Sequence, residues 1–131
     1  MTPQLDAIGM AVADLGASLA FYRLLGLDIP DDAESEGHVE ATLPGGMRLM
    51  WDSVDVIKSF DPDWQQPEGR GRIALAFLCD SPQDVDRVYA ELVAAGATAH
   101  KEPWDAFWGQ RYAEVLDPDG NTVDLFAPLG D

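Results

Sequence analysis

The chain has 131 residues, of which 47% are hydrophobic and 24% are charged. This length suits one domain or two small halves that share a core, and this composition is typical of a soluble globular protein. No apolar run approaches the roughly 20 residues that span a bilayer, which argues against a membrane protein. With a single cysteine, Cys79, and no recognisable secretion signal, we expect a cytoplasmic protein without internal disulfides.

Charge is the most unusual property of the composition. Eight Lys and Arg residues stand against 24 Asp and Glu residues, for a formal net charge of −16. Such a surface repels phosphate groups, so we expect neither a nucleic acid nor an anionic membrane as a partner. It would attract a cationic partner or ligand, although a high net charge also simply keeps a protein in solution.

The first half of the chain reads as a strand, a helix and a hairpin. Residues Leu5–Val12 predict a strand, and Gly16–Leu25 predicts a helix that Gly26 ends. Two further strands, Val39–Leu43 and Met47–Trp51, are joined by a Pro-Gly-Gly sequence that is typical of a turn. We expect Trp51 to lie in the core beneath the helix.

The second half repeats this order. Ile73–Leu78 predicts a strand, and a helix follows in which Ser81 is the N-cap, Pro82 takes the first position and Gly96 closes the end. Two more strands are predicted, Gln110–Leu116 and Asn121–Phe126, joined by the turn sequence Asp117-Pro118-Asp119-Gly120. The two halves therefore form modules at about 1–58 and 72–131, and a polar linker rich in Pro and Gly spans about 59–71.

Three groups of residues carry a resemblance to a known family. They are Val12-Ala13-Asp14-Leu15 with Ser18, Phe21-Tyr22 and Leu25-Gly26; Trp108-Gly109-Gln110-Arg111-Tyr112; and Asp117-Pro118-Asp119-Gly120-Asn121 with Asp124-Leu125-Phe126. In these residues the chain resembles the vicinal oxygen chelate superfamily, which includes glyoxalase I, ring-cleaving dioxygenases and bleomycin-resistance proteins. The resemblance implies a single α+β domain over 1–131, in which two βαβββ modules form a cupped, open, mixed β-barrel. It also implies a homodimer, because a second subunit commonly borders the cup.

Enzymes of this superfamily bind a divalent metal at four positions, two in each module. Carried over to this sequence, those positions fall on Ala7, Met50, Ile73 and Asp124. Alanine and isoleucine offer no ligand atom, and a thioether is a poor ligand for hard metals. Neither His38 nor His100 falls on a family position, so both are interpreted as ordinary polar histidines. We therefore expect no metal, no other cofactor and no catalytic residue.

A member of this family without a metal resembles the bleomycin- and mitomycin-type resistance proteins, which sequester a drug without transforming it. The leading hypothesis is thus a binding protein for a bulky aromatic or cationic small molecule, plausibly an antibiotic. The alternative is a divergent glyoxalase- or dioxygenase-like enzyme, a lyase or an isomerase. A structural or regulatory module with an unused cup is a third reading.

Strand alternation predicts the side chains that line the cup. On the strands these are Arg48, Met50, Asp52, Ile73, Phe77, Asp124 and Phe126. Aromatic side chains outside the strand interiors complete the predicted ligand site, namely Trp64, Trp104, Phe107 and Trp108, with Tyr112 following on the next strand. Exposed aromatic side chains in a loop suit stacking on a planar ligand, but they would equally close the rim of the barrel or pack at a dimer interface.

Overall fold

The computed structural model describes residues 2–69 and 73–130, and it has the predicted α+β class. The chain divides into two compact units, Met1–Pro67 and Glu68–Asp131. The first unit contains, in order, β1 (Ala7–Val12), α1 (Leu15–Leu24), a 3-10 helix (Ala33–Glu36), β2 (His38–Thr42), β3 (Arg48–Ser53) and α2 (Val54–Phe60). The second contains β4 (Ala74–Leu78), α3 (Pro82–Ala94), β5 (Thr98–Ala106), β6 (Gln110–Leu116) and β7 (Thr122–Pro128).

In each unit the first strand pairs in parallel with the last, and the remaining strands extend the sheet from the last strand in antiparallel order. The strand order is β1-β3-β2 in the first unit and β4-β7-β6-β5 in the second. The second unit therefore has the full βαβββ order, whereas the first has two strands after its helix. Where a further edge strand would lie, the first unit has the 3-10 helix Ala33–Glu36. The preceding segment, residues 25–32, contains Pro30 and three aspartates, which are residue types depleted in strands.

Helix α1 covers one face of the first sheet. Its N-cap Asp14 accepts a hydrogen bond from the Ala17 amide, and Leu19 and Tyr22 are fully buried. The ring of Tyr22 lies 5.5 Å from that of Trp51 on β3, which is also fully buried. The prediction that Trp51 belongs to the core is confirmed.

Helix α3 covers one face of the second sheet in the same way. Ser81 is its N-cap and Pro82 stands in its first turn, as the sequence predicts. Val85 and Leu92 on α3 are completely buried. Beneath the helix lie alternate residues of β6 and β7 that are also fully buried, namely Ala113, Val115, Val123, Leu125 and Ala127. The residues between them belong to the opposite, open face of this sheet.

Two expectations about local structure are wrong. Residues 54–60, placed partly in the linker, form helix α2, in which Ser53 is the N-cap and Ile57 is buried. Trp104, expected in a loop or at the start of a strand, lies within β5. Register shifts between Ala99 and Trp104 mark bulges in this edge strand, where Pro103 costs no ladder hydrogen bond.

The expected lining of β4 is also wrong, by one residue. Phe77 pairs with Leu125 and so shares the helix-covered face, while Ala76 pairs with Asp124 on the open face. Ile73 precedes the strand and is 74% exposed. Ile73 precedes Asp80 by seven residues, as Ala7 precedes Asp14, and this spacing makes Ile73 the expected equivalent of Ala7. Asp14 is a helix N-cap, however, and its counterpart in the second unit is Ser81, one residue after Asp80. A shift of one residue moves every side chain of a strand to the other face.

No helix within residues 2–69 and 73–130 is long and apolar enough to cross a membrane.

Trp51 should be a major source of stability in the first unit. Replacing it by Ala removes a fully buried side chain, and we expect a loss of about 3–5 kcal/mol in the free energy of unfolding. Denaturant titration of the purified variant measures this loss. Phe60→Ala is the control, because that ring is 71% exposed and its removal should change the stability little. Equal stability of the two variants would contradict the assignment of Trp51 to the core.

Candidate functional site

Four aromatic rings form a continuous wall on the open face of the second sheet. The aromatic wall consists of Trp104 on β5, Tyr112 on β6, Phe126 on β7 and Trp108 in the turn between β5 and β6. Tyr112 stands at its centre, with its ring centroid 5.6 Å from that of Trp104, 5.4 Å from that of Trp108 and 6.2 Å from that of Phe126.

Strand pairing holds this wall in place. Tyr112 pairs with Trp104 on one side and with Phe126 on the other, so that three of the four rings come from adjacent strands. The indole N–H of Trp108 donates to Gln110 at 2.8 Å, which fixes the fourth. The rings of Trp104, Tyr112 and Phe126 are half-buried and Trp108 is 48% exposed, so the wall presents aromatic surface to solvent. Phe107 contacts Trp108 from outside and is 96% exposed.

Two carboxyl groups lie beside the wall on the same face. Glu114 on β6 pairs with Asp124 on β7, one step along the strands from Tyr112 and Phe126. The Tyr112 hydroxyl donates to Asp124 Oδ2 at 2.6 Å. Burial, and then the hydrogen bond to Asp124, raise the pKa of Tyr112, so the phenol keeps its proton and remains the donor.

Glu114 is a weaker acid here than an ordinary glutamate. Burial raises the pKa of Glu114, and the adjoining Asp124 raises it further. Asp124 is only 8% exposed, so the pair lies at the base of the open face, where electrostatic interactions are stronger than in water. A ligand on this face would therefore contact aromatic rings and, next to them, a carboxyl group.

The first unit presents a charged network on its own open face. The charged network consists of Asp6, Arg48, Glu40, His38 and Asp52. His38 contacts Asp52 through Nδ1 at 2.5 Å and Glu40 through Nε2 at 2.7 Å. Arg48 donates to Glu40 and Asp6, both at 2.6 Å. A cavity of about 290 Å³ adjoins it, with His38 and Glu40 in its lining.

The predicted site residues are thus divided between the two units. The second unit brings together Trp104, Trp108, Tyr112, Phe126 and Asp124, with Phe107 at the edge of the wall. The first unit brings together Arg48, Met50 and Asp52, which share one face of its sheet with residues of β1 and β2. Trp64 lies in the segment after α2 and is half-buried. Ile73 and Phe77 do not join either set.

Sequence reasoning missed two functional features. Glu114 is in register with Asp124, and the alternation Gln110, Tyr112, Glu114 along β6 is the signal that would have placed it beside the predicted residues. The sequence predicts His38 to be an ordinary polar or partly buried histidine, but β2 and β3 pair so that it faces Asp52. The positions of the charged residues in this hairpin predict the contact between His38 and Asp52 once the strand register is known.

The chain matches the sequence model of the Glyoxalase/Bleomycin resistance protein/Dioxygenase superfamily over residues 4–125. It belongs to this superfamily. No curated protein matches the chain. Solved structures do, and one is a glyoxalase/bleomycin resistance protein/dioxygenase family enzyme from Burkholderia phytofirmans, with 22% identity, a TM-score of 0.82 and coverage of 97% of this chain and 100% of the other.

Two further solved structures support the fold of this glyoxalase/bleomycin resistance superfamily member. A glyoxalase-related enzyme from Fulvimarina pelagi has 23% identity and a TM-score of 0.80, with 96% of this chain and 88% of the other covered. A glyoxalase/bleomycin resistance protein/dioxygenase from Nocardioides has 26% identity and a TM-score of 0.73, with 98% and 85% covered. At these identities the likeness establishes the glyoxalase fold and leaves the ligand to the residues of the site.

The residues of this superfamily member do not fit the metal of its enzymes. Aligned on the helix N-caps, the position expected at Ile73 moves to Ala74, which also has no ligand atom. Ala7 and Met50 offer no hard donor, which leaves Asp124, with Glu114 beside it. Among residues 2–69 and 73–130, no three His, Cys, Asp or Glu side chains form a group that could hold a metal ion.

Both the sequence and the residues found at the four family positions predict a protein that binds no metal. Elemental analysis after purification without chelators should find no stoichiometric divalent ion. One tightly bound Zn, Mn, Ni or Fe per chain would overturn this reading and favour the enzymes of the superfamily.

The charged network predicts a pH-dependent stability. Hydrogen bonds to Glu40 and then Asp52 raise the pKa of His38 above its ordinary value of 6.5. The protonated histidine therefore stabilises the folded state below that value, and this contribution is lost as the pH rises through the raised pKa. We expect His38→Gln to lower Tm at about pH 6 and to have a smaller effect at about pH 9.

The second histidine provides the matched control for this experiment. His100 is exposed on β5, and His100→Gln removes the same side chain at a site outside the charged network. Thermal melts of both variants and the wild type across this pH range measure the difference. If His38→Gln and His100→Gln show the same pH profile, the network does not contribute to stability.

Proposed function

We propose that this protein binds a bulky, planar aromatic small molecule on the open face of its second unit and sequesters it without transforming it. The observation that carries the proposal is the aromatic wall with its adjoining carboxyl pair. Large aromatic side chains that remain partly exposed on one face mark a ligand surface, and stacking on a planar molecule would bury them. An antibiotic is a ligand of this kind, and the superfamily's name includes bleomycin resistance.

Charge complementarity supports a cationic ligand. The chain has a net charge of −16, and the aromatic wall adjoins Glu114 and Asp124. The negative potential of such a surface attracts positively charged molecules. A cation–π contact of the kind proposed is present within the chain, since the ammonium nitrogen of Lys101 lies 4.9 Å from the centre of the Trp104 ring.

We also propose that the protein forms a homodimer. Apolar side chains of the second unit lie open in the single chain, among them Leu78 at 67% and Phe107 at 96% exposure. A second copy of the chain would cover such surface and would border the ligand site. A sedimentation mass near twice 14.2 kDa at micromolar concentration would support it, and a monomer would contradict it.

An enzyme is the alternative, and one observation favours it. The Tyr112 hydroxyl, Asp124 and Glu114 form a short chain of proton-bearing groups, which is the equipment of general acid–base catalysis in an isomerase or a lyase. Recovery of the bound ligand unchanged after prolonged incubation would support sequestration. Conversion of the ligand, abolished by Tyr112→Phe, would support the enzyme.

Trp108 should be the main determinant of affinity. A ring–ring contact contributes about 0.5–1.5 kcal/mol beyond the area it buries, so we expect Trp108→Ala to weaken binding more than tenfold, or about 1.4 kcal/mol. Its position in a turn should keep the loss of stability small. Quenching of tryptophan emission by bleomycins, mitomycins and polycyclic aromatic antibiotics measures the affinity.

Tyr89→Ala is the control for the aromatic wall. This residue lies on α3, which packs on the other face of the same sheet, so its removal should leave the affinity unchanged. If Trp108→Ala unfolds the protein, or if no compound of the panel quenches its emission, the aromatic wall is structural and the proposal fails.

A further inference from the structure

Asp124 has one carboxylate oxygen without a donor. Oδ2 accepts the hydrogen bond from the Tyr112 hydroxyl, whereas Oδ1 is buried and accepts none from an amide, a hydroxyl or a cationic group within the described residues. The carboxyl group of Glu114 lies beside Asp124 and can donate to it only when it carries a proton. The side chain is 8% exposed, so solvent does not compensate. Buried acceptors are almost always paired in folded proteins, so this oxygen marks a place where a ligand could supply a donor.

Within residues 73–130, each lysine and arginine has a contact with another group. Lys101 is in register with Glu114, but its ammonium group lies over the Trp104 ring. Arg111 points to the other face of the sheet, where it pairs with Asp86 and Asp105. Arg87 pairs with Asp84 and Glu91 on α3. No arginine or lysine in the described ranges 2–69 and 73–130 forms an ion pair with Asp124.

The acid beside Asp124 increases the requirement for a donor. Glu114 brings a second carboxyl group against Asp124, and two adjacent acids repel each other unless a proton or a cation lies between them. A positively charged N–H group placed at Oδ1 would take the place of such a proton, because it donates a hydrogen bond to Oδ1 and balances the second negative charge of the pair.

We propose that Asp124 is the anchor for a positively charged N–H group of the aromatic ligand, which places the ligand among protonated amino-heterocycles, amidines and aryl amines. This inference rests on the proposed function and narrows its ligand class. The aromatic wall stacks on the ring system, and the N–H group at its end donates to Asp124 Oδ1. A planar cation without an N–H group can still stack on the rings and is still attracted by the negative charge, but it donates no hydrogen bond to Asp124 Oδ1.

Two probes of similar size separate the hydrogen bond from charge. The planar cation 9-aminoacridine carries N–H donors, and 10-methylacridinium is a planar cation without one. We expect the wild-type chain to bind 9-aminoacridine about tenfold more tightly, as measured by quenching of tryptophan emission. Equal affinities for the two probes would overturn the proposal, and this comparison requires no variant to fold.

Asp124→Asn tests the anchor directly. The variant keeps the shape of the side chain and an acceptor for Tyr112, so a thermal melt should show a folded protein. We expect it to lose about tenfold in affinity for 9-aminoacridine and much less for 10-methylacridinium. Asp105→Asn is the matched control, because it removes one carboxylate from the same sheet on the face where Asp105 pairs with Arg111. Its affinities should be those of the wild type.

The outcomes distinguish this inference from the proposed function. If both probes quench emission, Trp108→Ala abolishes the effect and Asp124→Asn leaves the preference unchanged, the aromatic wall binds ligands and the anchor is wrong. If neither these probes nor the neutral tricycle acridone quenches emission, the binding site itself is wrong and the anchor falls with it.

Discussion

The packing of α3 on alternate residues of β6 and β7 is the constraint on which the candidate site depends. Ala113, Val115, Val123 and Leu125 are fully buried on that side. Since a strand alternates its side chains, the residues between them must point to the opposite face. Tyr112, Glu114, Asp124 and Phe126 reach the open face for this reason. The site is thus the other side of a hydrophobic core, and the apolar contacts that stabilise the unit also set the positions of its polar groups.

The fold was readable from the sequence because its signals are local. The N-cap at Ser81, the turn at Asp117–Gly120 and the alternation along the strands each depend on neighbouring residues. Asp117, for example, is buried and accepts hydrogen bonds from the amides of Asp119 and Asn121, which closes the turn between β6 and β7. Helix α2 was missed because its seven residues are too few to display a helical period.

The site was less readable because it depends on register between strands. Glu114 and Asp124 lie ten positions apart, and only the pairing of β6 with β7 brings them together. The predicted face of β4 is wrong by one residue because Asp14 and Asp80, which stand at similar places in the two halves, have different roles. Asp14 is the N-cap of α1, whereas the N-cap of α3 is Ser81 and not Asp80. His38 and Asp52 show the same limit in the first unit, where the hairpin register creates a contact that neither residue indicates alone.

The two open faces have diverged chemically although the strands that build them correspond. In the first unit the face carries ion pairs that satisfy one another. In the second it carries aromatic rings and two acids, Glu114 and Asp124, that form no ion pair within residues 2–69 and 73–130. Self-satisfied charges give a surface little to gain from a ligand. Unsatisfied groups give it much to gain, which is why the candidate site is assigned to the second unit.

Trp104 lies in a strand and not in a loop, and this has a consequence for the rate at which a ligand would leave. The rings of Trp104, Tyr112 and Phe126 are fixed by paired backbone before any ligand arrives, so little conformational entropy is lost when they stack. Trp108, in the turn, is held by its hydrogen bond to Gln110, whereas Phe107 beside it is 96% exposed and retains freedom to adjust. Fixed rings would hold a ligand of complementary shape at little entropic cost and would lengthen its residence time. One adjustable ring at the edge would let molecules of different outline enter the same site.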